Sequence, residues 1–212
     1  MLAIGIVAHP TRHTMAEQLA DKVGANLICI DDRGYGAEQN HYRTWTALLD
    51  HAGTHAVVVE DDAIPVHDCR HQLEQAIKAS PTPITSLYLG RLRPPQYQKR
   101  IAKAIDTARH DDAHYITSPD LIHAVAVALP ATHIADMLAF TATRHYLPWD
   151  ETLSAYAHHL RQPVAYTHPS LVDHKDTPTL VQHRDRQPRT PGRVAWRIGT
   201  RHTWDSERTV AL

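Results

Sequence analysis

Short apolar runs alternate with stretches of helical spacing along the first ninety residues, and this alternation leaves few architectures open. Leu2 to Ala8 carries no polar side chain and reads as a strand. Thr14 to Val23 sets Met15, Leu19, Ala20 and Val23 at helical intervals. Asn26 to Ile30 reads as a second strand ending in Asp31-Asp32-Arg33-Gly34, and Gln39 to His51 as a helix with Trp45, Leu48 and Leu49 on its core side. His55 to Val59, Cys69 to Ala79 and Ser86 to Gly90 continue as strand, helix and strand. Such an order implies an α/β fold, a mainly parallel sheet flanked by helices.

Beyond Gly90 the pattern thins. Arg91 to Gln98 is expected to be an exposed loop, Gln98 to Arg109 a helix and His123 to Leu129 a strand. Thr132 to Phe140 and Asp150 to Leu160 read as helices, with Val164 to Tyr166 a last strand. From His174 onward Pro, Arg, Gln and Thr dominate, and only Val194 to Ile198 carries a helix signal. The expected organisation is one domain over 1–174 and an irregular basic arm or lid over 175–212. A chain of 212 residues suffices for one sizeable core.

Composition excludes several classes. No apolar run approaches a membrane span, and Met1 to Val7 lacks a basic leader region, so the cytoplasm is the expected location. A net charge of -1 gives no overall attraction to nucleic acid, although six arginines against one acid, Asp185, lie between Gln182 and Trp204. The eighteen histidines scatter without a zinc spacing. Cys29 and Cys69 make no disulfide framework, and Cys29 reads as a small core residue.

The run Ala56-Val57-Val58-Val59 ends abruptly in Glu60-Asp61-Asp62. Ligands of open α/β sheets gather at strand carboxyl ends. Three carboxylates there repel one another unless a cation sits among them, and magnesium or manganese sites commonly combine one or two carboxylates with substrate phosphates. The pattern points to metal-assisted handling of a phosphorylated substrate. The plainer reading is a solvated acidic turn before the next helix.

In order along the chain, Glu60-Asp61-Asp62-Ala63, Leu87-Tyr88-Leu89-Gly90, His123 to Leu129 with Ala135 and Leu138, and Trp149-Asp150-Glu151 with Pro169-Ser170-Leu171-Val172 and His174 resemble the GT-A type nucleotide-sugar glycosyltransferases. The likeness is to small relatives of the family-25 lipopolysaccharide and collagen sugar transferases, a kind that bacteriophages also encode. It spans roughly residues 2 to 174, and the aromatic residue usual in the family's middle strand is replaced by Val125 or Val127. The resemblance implies a Rossmann-like GT-A fold, a nucleotide diphosphate sugar donor (UDP-linked by expectation) and Mn²⁺ or Mg²⁺. The acceptor would be a hydroxymethylated DNA base or a virion protein if the gene is a phage's, acting in the host cytoplasm, and otherwise a protein or glycan.

Under this resemblance Asp62 is the expected direct metal ligand, while Glu60 and Asp61 would serve the donor's hydroxyls or a water on the metal. His174 resembles the late histidine that completes the shell, with His168 as its rival. Asp150 at a helix start is the candidate general base, which the helix N-terminus should keep ionised, and Glu151 could substitute. Ordinary N-capping explains the same pair, and a retaining mechanism would need no base. His9 and Arg12 follow the first strand, where Arg12 could grip phosphate oxygens in fork geometry. Asp31 and Asp32 could accept from ribose or uracil. No glycine-rich phosphate loop follows that strand, against an ATPase or dehydrogenase. Two other classes remain open: a metal-dependent phosphodiesterase or nuclease, and a nucleotide- or DNA-binding accessory protein working through its arginines with Trp196 and Trp204.

Overall fold

A strand with no polar side chain needs cover on both faces and partners on both edges, and β1 (Leu2–Ala8) has both: all seven residues are buried. The computed structural model describes residues 2–144, 147–177, 180 and 192–212. After a 3₁₀ turn at Pro10–Arg12 come α1 (His13–Val23), β2 (Leu27–Ile30), α2 (Ala37–Leu48) and β3 (His55–Glu60). Both β2 and β3 pair with β1 in parallel. Gly24 ends α1 at φ 64°, a left-handed conformation that glycine adopts without a Cβ penalty. Gly5 lets α2 lie close to β1, since a Cβ there would stand 2.8 Å from Thr44 Cγ2.

The chain continues through β4 (Ala63–Pro65), α3 (Cys69–Lys78), β5 (Ile84–Ser86), α4 (Pro95–His110) and β6 (Tyr115–Ser118). Then follow β7 (Ala126–Pro130), α5 (Ala131–Thr141), α6 (Trp149–Leu160), β8 (Val164–Thr167), β9 (Val172–His174) and β10 (Thr209–Ala211). Eight strands form one sheet in the order β10-β6-β8-β5-β7-β3-β1-β2, and β4 with β9 forms a separate two-stranded ribbon. The sheet is mixed: β7 runs antiparallel to β3 and β5, and β6 antiparallel to β8.

Period-two alternation divides the strands between two helical layers. Ala3, Val7, Ala56 and Val58 face α2, α4, α5 and α6, where Trp45, Ile101, Met137 and Tyr156 lie in the core. Leu2, Ile4, Ile6, Val57 and Val59 face α1 and α3, against Leu19, Val23, Leu73 and Ile77. Trp45 and Leu48 are fully buried, as their spacing implied. Burying a large apolar side chain stabilises by roughly 1.5–3 kcal/mol, which explains why every helix lays an apolar stripe on the sheet. Among the described residues, no helix is long and apolar enough to cross a membrane.

Several expectations shift. Leu87 to Gly90 leaves the sheet after β5. Its backbone bonds instead to the main chain of Ala126, Leu171, Val172 and Trp196 and to the Ser170 hydroxyl, and Gly90 bridges Ala195. Val194 to Ile198 is extended, not helical, with Ala195 bridging Gly90 and Ile198 bridging Ser170. The end of the chain joins the sheet edge, since β10 pairs in parallel with β6. Cys29 is half-buried, whereas Cys69 is the buried cysteine, its thiol pushed up to about 11 by burial.

Candidate functional site at the strand carboxyl ends

The register of β1 against β3 places Val7 opposite Glu60, so the acids begin where the first strand runs out. The Asp61 backbone N–H donates to the Val7 carbonyl at 3.0 Å. One Asp61 carboxylate oxygen accepts from the His9 N–H at 2.8 Å, the other from Arg12 Nη1 at 3.0 Å. The same Nη1 reaches Asp62 Oδ2 at 2.6 Å, and Arg12 Nη2 donates to Thr177 Oγ1 at 2.8 Å. His9 supports this approach, its Nδ1 accepting from the Thr11 N–H as the 3₁₀ turn starts. Arg12, expected to point at a phosphate, therefore neutralises the two aspartates. Burial alone would lower its pKa, but both carboxylates outweigh burial and raise it.

His174 is delivered by the ribbon. In the antiparallel pairing of β4 with β9, Ala63 lies opposite His174, and the Lys175 N–H donates to the Asp62 carbonyl at 2.7 Å. His174 Nε2 stands 3.4 Å from Asp62 Oδ2. The rival His168 lies at the end of β8 and is not brought to Asp62. Asp62 is only 6% exposed. Burial, then the charge of Glu60, pushes its carboxyl up to about 6 against the pull of His174 and Arg12. Asp62 Oδ1 and His174 Nδ1 are buried without a hydrogen-bond partner among the described residues.

Those unmet groups test whether a divalent cation suits the place. Among the described residues, no three His, Cys, Asp or Glu side chains gather as a ready-made metal cage. A carboxylate with one unpartnered oxygen beside an imidazole nonetheless matches hard or borderline ions that take few protein ligands and leave the remainder to substrate oxygens. Asp62 and His174 are the residues that would hold such an ion, and Arg12 is the cation already at hand.

The opposite wall comes from α2 and α6. His41 Nε2 lies 3.4 Å from Glu60 Oε1, and the His41 ring stacks on Trp149 at 5.4 Å and 10°. Burial favours the neutral Glu60 carboxyl, but His41, with His174 and His123 beyond, holds its pKa below the usual range. Trp149 opens α6, so the stack sets Asp150 at the cleft. Burial pushes the Asp150 carboxyl up to about 6, helped by Glu60 and Glu151 and opposed by the Glu151 N–H. The helix N-terminus thus does not keep Asp150 an ordinary ionised acid; desolvation wins. Glu151 is exposed, and its N–H donates to Asp150 Oδ1 at 2.9 Å.

His41, His123, Tyr88 and Trp149 were not singled out from the sequence as site residues. His123 Nε2 bonds the Arg93 carbonyl at 2.8 Å and meets Tyr88 edge-on at 5.1 Å. A usable signal existed for His41, a histidine on the buried stripe with Thr44, Trp45 and Leu48. Among the described residues, five of nine buried polar atoms without partners, on His41, Asp62, His123, Trp149 and His174, belong to this cluster, concentrating the unmet polarity where a ligand would bind.

Other expected residues lie apart. Asp31 accepts from the Tyr35 and Gly36 N–H groups, both at 2.8 Å, and so shapes the turn into α2. Asp32 is exposed on that turn and is not among the residues Tyr35, Glu38, Gln39 and Arg43 that line a cavity of about 560 Å³. Arg184, Arg186 and Arg189 lie outside the described residues. Arg193 pairs with Asp176 at 3.2 Å. The two tryptophans of the arm are committed to the fold: Trp196 Nε1 donates to Gln98 and Trp204 Nε1 to Gln72, both at 3.2 Å.

No family model matches the chain, and no curated protein matches it. Among solved structures, it is similar to a Bacillus anthracis protein described as a glucose-1-phosphate thymidylyltransferase, in complex with sucrose. The identity is 10%, over 81% of this chain and 92% of that one, with a TM-score of 0.38. A glycosyltransferase involved in glycosylating the major capsid of PBCV-1 aligns at 10% identity over 77% and 79%, with a TM-score of 0.37. Likeness at this level assigns neither an activity nor a ligand to this chain.

Proposed function

We propose that this chain transfers a sugar from a nucleotide diphosphate sugar to an acceptor hydroxyl. The observation that carries the reading is the cluster itself, where buried acids, histidines with unpartnered nitrogens and one arginine converge at the carboxyl ends of β1 and β3. In this reading Asp62 and His174 hold Mn²⁺ or Mg²⁺, which when bound stabilises negative charge on a departing nucleoside diphosphate. Arg12 exchanges an aspartate for a diphosphate oxygen, a fork contact suited to either anion. His41 keeps Glu60 ionised and fixes Trp149, which orients Asp150. Asp150, with a pKa near 6, is deprotonated at neutral pH yet basic enough to take the acceptor hydroxyl's proton.

A uridine donor, and a hydroxymethylated DNA base or a virion protein as acceptor, are the finer parts of the proposal. A two-metal phosphodiesterase is less well served, because the end of β1 supplies His9 and Arg12 where further acids would be needed.

The test is a melting-temperature panel of nucleotide sugars with and without Mn²⁺, since a ligand that binds only the native state raises the melting point by mass action. One nucleotide diphosphate sugar should raise it several degrees, and more with Mn²⁺ than without. A flat panel would sink the assignment.

A further inference from the structure

Two groups converge on one oxygen, Asp62 Oδ2. Arg12 Nη1 lies 2.6 Å from it, and His174 Nε2 lies 3.4 Å from it, the latter too far for an ordinary hydrogen bond. The same Nη1 reaches Asp61 Oδ1 at 3.0 Å, so a single nitrogen bridges two carboxylates. The side chains of Arg12, Asp61 and Asp62 are withdrawn from solvent, at 14%, 7% and 8% exposure. Salt and water screen such contacts far less than they screen surface pairs. The Asp62 oxygen nearest His174 is therefore one that an internal cation already holds.

Arg12 is also the member of this group that can be drawn away without dismantling the rest. It closes the 3₁₀ turn after β1, and its Nη2 donates to Thr177 Oγ1 at 2.8 Å. Thr177 is itself fastened, its carbonyl accepting from Arg193 Nη2 at 2.6 Å. Asp176 beside it accepts from Arg193 Nε at 3.2 Å and from the Gly192 N–H. The two aspartates have backbone anchors of their own. Asp61 Oδ2 accepts from the His9 N–H at 2.8 Å, and the Asp62 carbonyl accepts from the Lys175 N–H at 2.7 Å. Neither anchor passes through the guanidinium.

We propose that Arg12 is a resident cation that keeps a divalent ion off Asp62 Oδ2 until a donor's diphosphate draws it away. The proposal rests on the transfer reading for its diphosphate and on the Asp62–His174 pair for its ion. A guanidinium and a divalent ion on one carboxylate oxygen repel each other strongly where screening is weak. A diphosphate offers Arg12 paired anionic oxygens in exchange for the aspartates, and the ion then takes its place among the acids. Each ligand thus favours the other. The coupling is reciprocal, since the ion must tighten the diphosphate by the factor by which the diphosphate tightens the ion.

Mn²⁺ titrated into the full chain without donor, the free ion being read by its EPR signal, should bind the R12Q variant roughly tenfold more tightly than wild type. K175Q, which removes a charge from an exposed side chain beside His174, should stay within about twofold of wild type, since exposed charges couple weakly. Uridine diphosphate should tighten Mn²⁺ binding by a larger factor in wild type than in R12Q, because only wild type has a guanidinium to draw off. Equal Mn²⁺ binding by wild type and R12Q, as by an ion on Asp62 Oδ1, which has no partner among the described residues, would overturn the exclusion. Binding by neither protein, or the same gain in K175Q as in R12Q, would overturn it too. An equal uridine diphosphate factor in both proteins would overturn the donor's part. Tighter Mn²⁺ binding by R12Q, with no donor bound by wild type, would strike the transfer reading and leave the exclusion standing.

Discussion

The acids around Asp62 and the histidines at the end of β8 occupy the same end of one sheet, yet they sit in fields of opposite sign. In the cleft, Glu60, Asp61 and Asp62 outnumber Arg12, and the field of neighbouring acids helps to push Asp62 and Asp150 up to about 6. At the end of β8, burial first and then neighbouring arginines lower both His114 and His168, the latter to about 4, against the pull of Asp112. Both leave buried polar atoms without partners among the described residues. Burial alone does not set the chemistry of a strand end; the sign of the nearest uncompensated charge does.

The sharpest way to break this contrast is to empty the acidic side. Asp62→Ala should reduce sugar transfer on the order of 10³-fold or more, as loss of the cation's several kcal/mol at the transition state implies. The fold should survive, because Arg12 keeps its 3.0 Å contact with Asp61. Transfer at near wild-type rate by a folded Asp62→Ala protein would show that the cleft is not the reacting centre.

Next in size, Asp150→Asn should cost roughly 10²- to 10⁴-fold, the usual contribution of a general base. Wild-type turnover should fall as pH drops through about 6, when the Asp150 carboxyl gains a proton. The residual activity of the variant should show a shallower limb, the part left to Asp62, and Glu151→Gln should change little, since Glu151 is exposed. An unchanged acid limb in Asp150→Asn would remove Asp150 from the proton path.

The smallest effect probes the basic side through stability. A histidine whose folded pKa lies below its unfolded value contributes stability that is complete above the unfolded value and is lost as pH falls toward the folded one. For His168 that window runs from the ordinary 6.5 down to about 4. Between pH 7 and pH 5 one such group costs about 2 kcal/mol, or roughly 4–8 °C in a chain of this size. Asp62 and Asp150, raised in the folded state, act the other way, losing stability as pH rises through their window. His168→Gln should therefore shrink the melting-point drop between pH 7 and pH 5 relative to wild type. An equal drop in both proteins would mean that the ring is not held neutral.

Much of the first half was legible because each element there is contiguous and its neighbours in sequence are its neighbours in space. Leu2 to Ala8, the helix ending at Val23 and the strand from His55 need only local periodicity to be found. The antiparallel direction of β7 was not legible, since an apolar run such as Ala126 to Leu129 looks alike whichever way it points. β4, β6, β9 and β10, of three or four residues each, fall below the length at which alternation is distinguishable from chance. The acids of the site were found because they interrupt an apolar strand. His41 and Trp149 were not, because stacked rings contributed by different helices leave no spacing to read. Arg12 was found, but its resting partners were not legible: fork geometry suits a phosphate and a pair of aspartates equally, and the coordinates show it on the aspartates.

The β4–β9 ribbon has a consequence for how such a chain becomes active. Asp62 arrives with the first third of the polypeptide, but His174 meets it only after the chain has passed through most of the sheet and doubled back against Ala63. A truncated product ending before Val172 would retain every carboxylate and still lack the imidazole opposite them. If sugar transfer needs Asp62 and His174 together, half-made copies should be silent rather than partly working.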